Sequence, residues 1–263
     1  MTTIDTTMNF TGNMRHVIFD DNGHAVCKHP RFLELQNGVV QCSPAWFKQR
    51  KGRLTGSKYA NLYFISSEEE YEAYWQQVWN KGPKPPFSDE AKGYMEYGKK
   101  HEDIALSYFL EQSKSIGDIY VAEAPFFPHT LPYLGASPDG IYAIYDKDKM
   151  IEQGIIEVKC PAKTKRPYAH FKYYYVAQTY AEMACAGLNH TITISWGPRN
   201  MRVWRWKFEN SVWNTICNMI EGFRSHVSYS TFCELQHELT EVSHRVSHEA
   251  ECLHTGKGFP IHM

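Results

Sequence analysis

The chain has 263 residues, a length that fits one large globular domain or one domain with extensions. It is 43% hydrophobic and 14% aromatic, which excludes a mainly disordered protein and predicts a sizeable core. The net charge of -1 excludes a protein that coats nucleic acid through global positive charge, so any contact with DNA has to be local.

Neither a membrane segment nor a disulfide framework is predicted. No run approaches the roughly 18 apolar residues of a membrane span, and residues 1–10 lack the basic and then apolar layout of a signal peptide. The 7 cysteines include no Cys-x-x-Cys pair, so we expect reduced thiols and neither disulfides nor a zinc ribbon. The protein is therefore expected to be soluble and intracellular, without a membrane partner.

Local contacts with DNA could come from three clusters of basic residues. Taken alone, a cluster of this kind is more often a solvated face than a binding site. The clusters are Lys48, Arg50, Lys51, Arg53 and Lys58; Lys159, Lys163, Lys165, Arg166 and Lys172; and Arg199, Arg202, Arg205 and Lys207.

The first elements follow a polar segment. Residues 1–40 show no sustained helical period and are interpreted as an N-terminal extension with one hairpin around 20–23. A helix is predicted over 43–62, with Ser43 as its N-cap and Pro44 in its first turn. Two internal glycines are expected to interrupt this helix.

The rest of the chain predicts alternating helices and strands. Apolar spacing predicts a helix over 89–112 that carries Glu102, and a helix over 173–186 that ends at Gly187. The other predicted elements are helices at 68–79 and 231–253, a loop at 81–86, and strands at 119–124, 140–145, 155–158, 191–196 and 201–208. This order predicts an α/β domain with a mixed sheet, followed by a C-terminal helical extension. The domain is placed at 41–230 and the extension at 231–263.

The strongest local signal is Asp139 in a Ser-Pro-Asp-Gly run, followed by Glu157 and Lys159 in a short apolar strand. Side chains alternate between the faces of a strand, so Glu157 and Lys159 are expected on the same face. If Asp139 comes from the neighbouring strand, two carboxylates converge and offer the hard oxygen ligands that suit Mg²⁺. Such an ion neutralises the charge that develops during phosphodiester hydrolysis, and a lysine beside the attacking water can orient or deprotonate it. A bare Glu-x-Lys pair is more often an ordinary ion pair, so the wider pattern matters.

Five blocks of sequence supply that wider pattern. In chain order they are Trp46–Ser57, Gly98–Glu102, Ser137–Gly140, Glu157–Pro161 and Tyr175–Gln178. This ordered set resembles the PD-(D/E)XK nucleases, and more closely their lambda-exonuclease or YqaJ branch, from Trp46 to roughly Trp206. The resemblance implies a restriction-endonuclease-like α/β core in which helices flank a central mixed β-sheet.

The resemblance also implies roles for individual residues. The implied metal ligands are Asp139, Glu157, Glu102 and the main-chain carbonyl of Val158, and the implied metal is Mg²⁺, with Mn²⁺ as a substitute. Glu102 and Gln178 would complete the catalytic site from flanking helices. Lys159 would handle the attacking water.

A second group of residues would recognise the DNA end. Arg50, Ser57 and Ser137 match the positions that bind the terminal 5′-phosphate in this family, and an arginine fork with two hydroxyls suits a phosphate monoester. The other interpretation is a surface arginine and two capping serines. Met95 falls where the family places an apolar wedge that helps to split the terminal base pair; a methionine in the helix core is the other interpretation.

The function that the resemblance implies is a 5′ to 3′ exonuclease that digests linear double-stranded DNA and leaves 3′ single strands for recombination or repair. Two alternatives stay open: an endonuclease or RNase on the same fold, and a non-catalytic module that binds DNA ends. The resemblance further implies a viral or phage origin, a ring-shaped homotrimer and a single-strand annealing protein as partner. A viral protein would act in the host cytoplasm or nucleus.

A different metal site is suggested near the C-terminus. His244, His248 and Cys252 lie four residues apart and would share one face of a helix, as metal ligands do. No fourth ligand is specified and the helix is polar overall, so we interpret it as a solvated helix.

Overall fold

The computed structural model describes residues 41–56, 58–79, 86–113, 118–122, 124–146 and 149–257. The predicted N-terminal extension with its hairpin, most of the predicted loop at 81–86, and Ser57 lie outside these residues. Within them, no helix is both long and apolar enough to cross a membrane.

Strands and helices alternate along the chain. The strands are β1 Leu54–Thr55, β2 Asp118–Ala122, β3 Phe127–Pro128, β4 Leu134–Ala136, β5 Gly140–Asp146, β6 Lys149–Lys159, β7 His190–Gly197, β8 Asn200–Lys207 and β9 Glu251–Lys257. The helices are α1 Pro44–Arg50, α2 Lys58–Asn61, α3 Glu68–Val78, α4 Asp89–Gln112, α5 Val176–Ala186, α6 Asn210–Arg224 and α7 Tyr229–Glu249, with a 3-10 turn at Tyr173–Tyr175.

A mixed six-stranded sheet with the order β2-β5-β6-β7-β8-β9 forms the centre of the fold. The β6–β7 pair is parallel, because α5 makes the crossover between them, and the other neighbours are antiparallel. A smaller sheet has the order β1-β4-β3. The predicted fold class, an α/β core with a central mixed sheet flanked by helices, is confirmed.

The two faces of the central sheet are buried against different helices. Ile155 belongs to the core cluster that contains α5, whereas its neighbour Ile156 belongs to the cluster that contains the second half of α4. Side chains alternate along a strand, so Glu157 and Lys159 lie on the α5 face and Val158 on the α4 face. The predicted alternation at these positions is confirmed.

Helix α5 packs on one face of the sheet, and almost all of its side chains are buried. It ends at Gly187, whose φ of 68° lies in the left-handed region that favours glycine, as predicted. On the other face, α4 buries residues only between Ala105 and Leu110. Met95 and Ile104 are exposed, so the apolar face predicted for the whole helix was wrong for the residues before Ala105.

The predicted helix over 43–62 is divided into α1, β1 and α2. Ser43 caps α1 by accepting a hydrogen bond from the main-chain N–H of Trp46, as predicted. Gly52 and Gly56 have φ values of 70° and 51°, which turn the chain on either side of β1. The interruptions expected from the two glycines are therefore confirmed.

The C-terminal elements differ most from the prediction. Helix α6 was not predicted, although its apolar residues follow a helical period and bury Val212, Ile216 and Phe223. Helix α7 ends at Glu249 and not at 253, because Ala250, with a ψ of 121°, leaves the helical conformation and β9 then pairs with the edge of β8. The buried Phe232 of α7 also shows that this helix is not simply solvated.

Candidate active site

The sheet register brings Asp139 and Glu157 together. Strand β5 begins at Gly140, which pairs with Ile156 of β6, so the ladder stops just before the two acidic residues. Beyond that point the main-chain N–H of Val158 donates a hydrogen bond of 2.7 Å to Oδ2 of Asp139. This bond places the Asp139 carboxyl group at the end of β6.

The main-chain carbonyl of Val158 also lies beyond the end of the β5–β6 ladder. A strand residue that pairs with its neighbour directs its N–H and its C=O to the same side. The N–H of Val158 contacts Asp139, so its carbonyl oxygen also faces the side on which β5 has not yet begun. An oxygen ligand from the backbone is thus available beside the Asp139 carboxyl group.

Glu157 and Lys159 are in direct contact on the α5 face of β6. The side chain of Glu157 is 5% exposed and that of Lys159 is 16% exposed. Burial lowers the pKa of Lys159, but the charge of Glu157 outweighs this effect and holds the pKa above its usual value. Lys159 is therefore an ammonium group in this arrangement.

Helix α5 contributes Gln178 and an aromatic ring to the same face. Gln178 donates from Nε2 to Oε1 of Glu157 at 2.6 Å, and its Oε1 lies 3.4 Å from Nζ of Lys159. The ring of Tyr175 lies against Lys159, with 4.5 Å from Nζ to the ring centroid. The structure thus brings Gln178 to the predicted catalytic set.

Glu102 approaches from α4. Burial raises its pKa, and the charge of Glu157 raises it further. The α4 turn that carries Glu102 is held to the sheet by His101, whose ring stacks on Trp196 at 5.4 Å between centroids. His101 also contacts the carbonyl of Tyr97 at 2.7 Å.

The negative charges of Glu157 and Glu102 both act on the carboxyl group of Asp139. Burial raises the pKa of Asp139, and the neighbouring charges of Glu157 and then Glu102 raise it further. One ammonium group, that of Lys159, cannot balance all of these carboxylates. Oxygen ligands with excess negative charge suit a hard divalent cation such as Mg²⁺, so the donor set fits the predicted metal.

The ligand set nevertheless depends on more than side chains. Among the described residues, no three Asp, Glu, His or Cys side chains already form a metal cluster. A cation would be held by Asp139, Glu157 and the Val158 carbonyl, with Glu102 nearby. His244 and His248 stack at 6.5 Å on α7, but Cys252 lies on β9, so the three do not share the helical face considered above.

One residue of this site was missed by the sequence analysis. Glu182 lies one helical turn after Gln178 and accepts a hydrogen bond of 2.8 Å from its Nε2. It is 0% exposed, and burial followed by the charge of Glu157 raises its pKa well above the usual value. The available signal was the single charged residue of a mostly apolar helix.

Arg50 and Ser137, two of the three residues predicted to bind the 5′-phosphate, meet around Trp46. Its indole Nε1 donates to Oγ of Ser137 at 2.9 Å, and the guanidinium of Arg50 lies 4.0 Å from its ring centroid. Burial lowers the pKa of Arg50, and within the described part of the chain no carboxylate forms an ion pair with it. Gly56 approaches the same guanidinium group, since a Cβ atom at this position would lie 3.7 Å from Nη2 of Arg50.

Two further side chains attach this segment to the chain that precedes Asp139. Gln41 donates from Nε2 to the carbonyl oxygens of Ala124 and Pro138, both at 3.1 Å. Arg53 donates to the carbonyl of Leu134 at 2.8 Å. Gln41 was also missed, because its partners are more than eighty residues away in the sequence.

Met95 and several residues of the basic clusters are exposed. Met95 is 48% exposed, which excludes the helix-core interpretation and leaves its side chain open to a ligand. Lys163, Lys165 and Arg166 are exposed, whereas Arg205 of the third cluster is paired with Glu152 and Glu251.

The fold and this arrangement define a PD-(D/E)XK-type α/β protein, with two carboxylates and a lysine at the end of a central strand. Residues 45–189 match the YqaJ-like viral recombinase domain, and the chain belongs to this family.

A solved structure has the same fold. The alkaline exonuclease LHK-Exo from Laribacter hongkongensis is 19% identical, with a TM-score of 0.50, over 79% of this chain and 100% of that chain. The same exonuclease in complex with dAMP is 20% identical, with a TM-score of 0.46, over 79% of this chain and 100% of that chain. No curated protein matches the sequence.

Proposed function

We propose that the chain is a Mg²⁺-dependent 5′ to 3′ exonuclease that digests linear double-stranded DNA and leaves 3′ single strands for recombination or repair. The observation that carries the proposal is the convergence of Asp139, Glu157, Lys159 and Gln178 at the end of β6. Membership of a viral recombinase family and a fold shared with an alkaline exonuclease support it.

The proposed chemistry divides the work between the metal and the chain. When bound, Mg²⁺ would supply positive charge for the scissile phosphate and acidify the attacking water. Asp139, Glu157 and the Val158 carbonyl would hold the ion, with Glu102 completing its surroundings. Lys159 is an ammonium group, so we propose that it orients the water and donates a hydrogen bond to the negative charge that develops.

We propose that the cluster around Trp46 recognises the 5′ end of the DNA and so sets the direction of digestion. Arg50 is a partly buried cation, and the described residues offer it no carboxylate partner. A terminal 5′-phosphate would provide that partner, with hydrogen bonds from Ser137 and Ser57. We further propose that Met95, which is exposed on α4, separates the terminal base pair.

The decisive experiment compares two duplexes in the presence of Mg²⁺. Purified protein is incubated with linear duplex labelled at one end and with covalently closed circular duplex. The proposal expects loss of the linear form from its 5′ ends and an intact circle. A linearised circle would support an endonuclease, cleavage of RNA would support an RNase, and binding without cleavage would support a module that only recognises ends.

The proposed assembly is a homotrimeric ring around DNA that works with a single-strand annealing protein. The exposed basic residues Lys163, Lys165 and Arg166 could face such a channel, which would offset the net charge of -1 locally. Light scattering coupled to gel filtration tests the ring, because a closed trimer has three times the mass of the 30.5 kDa chain. A monomer at micromolar concentration would contradict it.

A further inference from the structure

We propose that Glu182 is a positioning residue for Lys159 and acts through the side-chain amide of Gln178; the inference rests on the proposed nuclease function. Glu182 is 0% exposed on α5 and touches the site through one hydrogen bond, from Nε2 of Gln178 to its Oε1 at 2.8 Å. Its other oxygen, Oε2, is buried and has no hydrogen-bond partner within the described ranges. A buried carboxyl group with so few partners destabilises a core, which makes a structural reason for it weak.

The partners of Gln178 decide which way its amide points. Nε2 donates to Glu157 at 2.6 Å and to Glu182 at 2.8 Å, which uses both of its N–H bonds. A rotated amide would place its oxygen against two carboxyl oxygens, and all three atoms are acceptors. Glu182 and Glu157 together therefore hold Nε2 on their side, whether or not Oε2 of Glu182 carries a proton.

The orientation of this amide determines the surroundings of Lys159. With Nε2 held by the two acids, Oε1 of Gln178 lies 3.4 Å from Nζ of Lys159 and can accept a hydrogen bond. The ammonium group is then located by three contacts: Glu157, Gln178 and the ring of Tyr175. If the amide rotated, its N–H groups would face the ammonium, and Glu157 would be the only acceptor among these three contacts.

Two substitutions separate the acceptor from the volume of the side chain. Glu182→Gln keeps an acceptor oxygen for Gln178, whereas Glu182→Met keeps a similar volume without one. Once wild-type cleavage of linear duplex is established, we expect Glu182→Met to lower kcat about 10-fold to 100-fold, the usual effect of losing a partner one shell behind a catalytic group. KM for DNA should stay unchanged, and Glu182→Gln should keep kcat within about threefold.

A purely structural role would give a different pattern. Glu182→Met removes a buried carboxyl group, so its melting temperature should equal or exceed that of the wild type. A lower melting temperature with an unchanged kcat would mean that Glu182 only supports the core. Met183→Leu is the matched control, since Met183 is also 0% exposed on α5 and belongs to the apolar core, and it should leave kcat unchanged.

The route through Gln178 is tested in a second background. In Gln178→Ala, the further change Glu182→Met should cause no additional loss of kcat, because the amide that Glu182 orients is gone. Additive losses would overturn the route. Wild-type activity in Glu182→Met, or equal losses in Glu182→Gln and Glu182→Met, would overturn the inference itself.

An NMR measurement makes the test independent of cleavage. The side-chain amide protons of Gln178 are assigned by their loss in Gln178→Ala, and Glu182→Met should shift one of the two protons upfield. An unchanged pair of signals would overturn the inference even if the wild type proved inactive. A wild type that fails to cleave while the proton shifts would instead contradict the proposed function and leave the contact established.

Discussion

Glu157 lies inside the central sheet with 5% of its side chain exposed, whereas Arg50 lies on α1, a helix of 7 residues without a buried side chain. Strand pairing holds the first region, since β6 pairs with β5 as far as Ile156 and with β7 as far as Lys159. Hydrogen bonds from the side chains of Gln41, Trp46 and Arg53 attach the second region to the chain between Ala124 and Pro138. The candidate catalytic residues of β6 are therefore held by main-chain pairing, whereas α1 and the residues that flank it are attached through side-chain hydrogen bonds.

The largest effect is expected at the end of β6. Asp139→Ala or Glu157→Ala should abolish cleavage while binding of DNA is retained, because each removes a charged ligand of the proposed metal. A substitution of Lys159 should lower kcat by several orders of magnitude, since stabilisation of the transition state is lost. Release of labelled nucleotides measures turnover, and a gel-shift assay measures binding.

Two control substitutions, one at Asp139 and one in β5, test this prediction further. Asp139→Asn can still accept the hydrogen bond from Val158, so it should fold normally and still fail to cleave. Asp146 is an exposed acid at the opposite end of β5, and Asp146→Ala should leave the rate unchanged. Near-normal turnover by either Asp139 variant would contradict the site assignment.

The next effect concerns the metal. Activity should require Mg²⁺ or Mn²⁺, and Ca²⁺ should support binding without efficient turnover, because Ca²⁺ is larger and its geometry is less strict. The rate on linear duplex is measured in each ion and in excess chelator. Full activity in the chelator would refute the proposed use of a metal.

A smaller effect is expected at α1, where recognition and not chemistry should change. Duplexes with a 5′-phosphate should be degraded faster than those with a 5′-hydroxyl, and Arg50→Ala should remove most of the difference. A charge-assisted contact is worth about 1.5 to 3 kcal/mol, which corresponds to a tenfold or larger preference. Lys51→Ala is the control, because Lys51 is exposed beside α1. A wild type that ignores the end group would show that Arg50 has another role.

The smallest effect tests how α1 is attached. Trp46→Phe removes the indole N–H that donates to Ser137 and keeps an aromatic ring for Arg50. Loss of one hydrogen bond of this kind is worth about 0.5 to 1.5 kcal/mol, so the preference for a 5′-phosphate should fall by a factor of about 2 to 12. The two end groups are compared at equal DNA concentration, and kcat on the phosphorylated duplex at saturation should stay the same. A fall in that kcat as large as the fall in preference would contradict this prediction, because it would show that Trp46 affects the cleavage step as well as recognition of the 5′ end.

Local patterns were sufficient to predict the elements that position the candidate site. Helix α4 has the predicted bounds, and the alternation along β6 correctly placed Glu157 and Lys159 on one face. These features depend on residues close in sequence, such as the apolar period of α4 and the period of two in a strand. The predicted roles of these residues in catalysis remain predictions.

Other features depend on residues far apart in the chain, and no local pattern could reveal them. The bond between Trp46 and Ser137 spans 91 residues, and the turn from α7 into β9 depends on the open edge of β8. Met95 has an apolar side chain that fits a helix core, yet α4 leaves it exposed because the sheet meets only the second half of the helix. The period of a helix or strand shows which residues share a face, but only packing decides what that face meets.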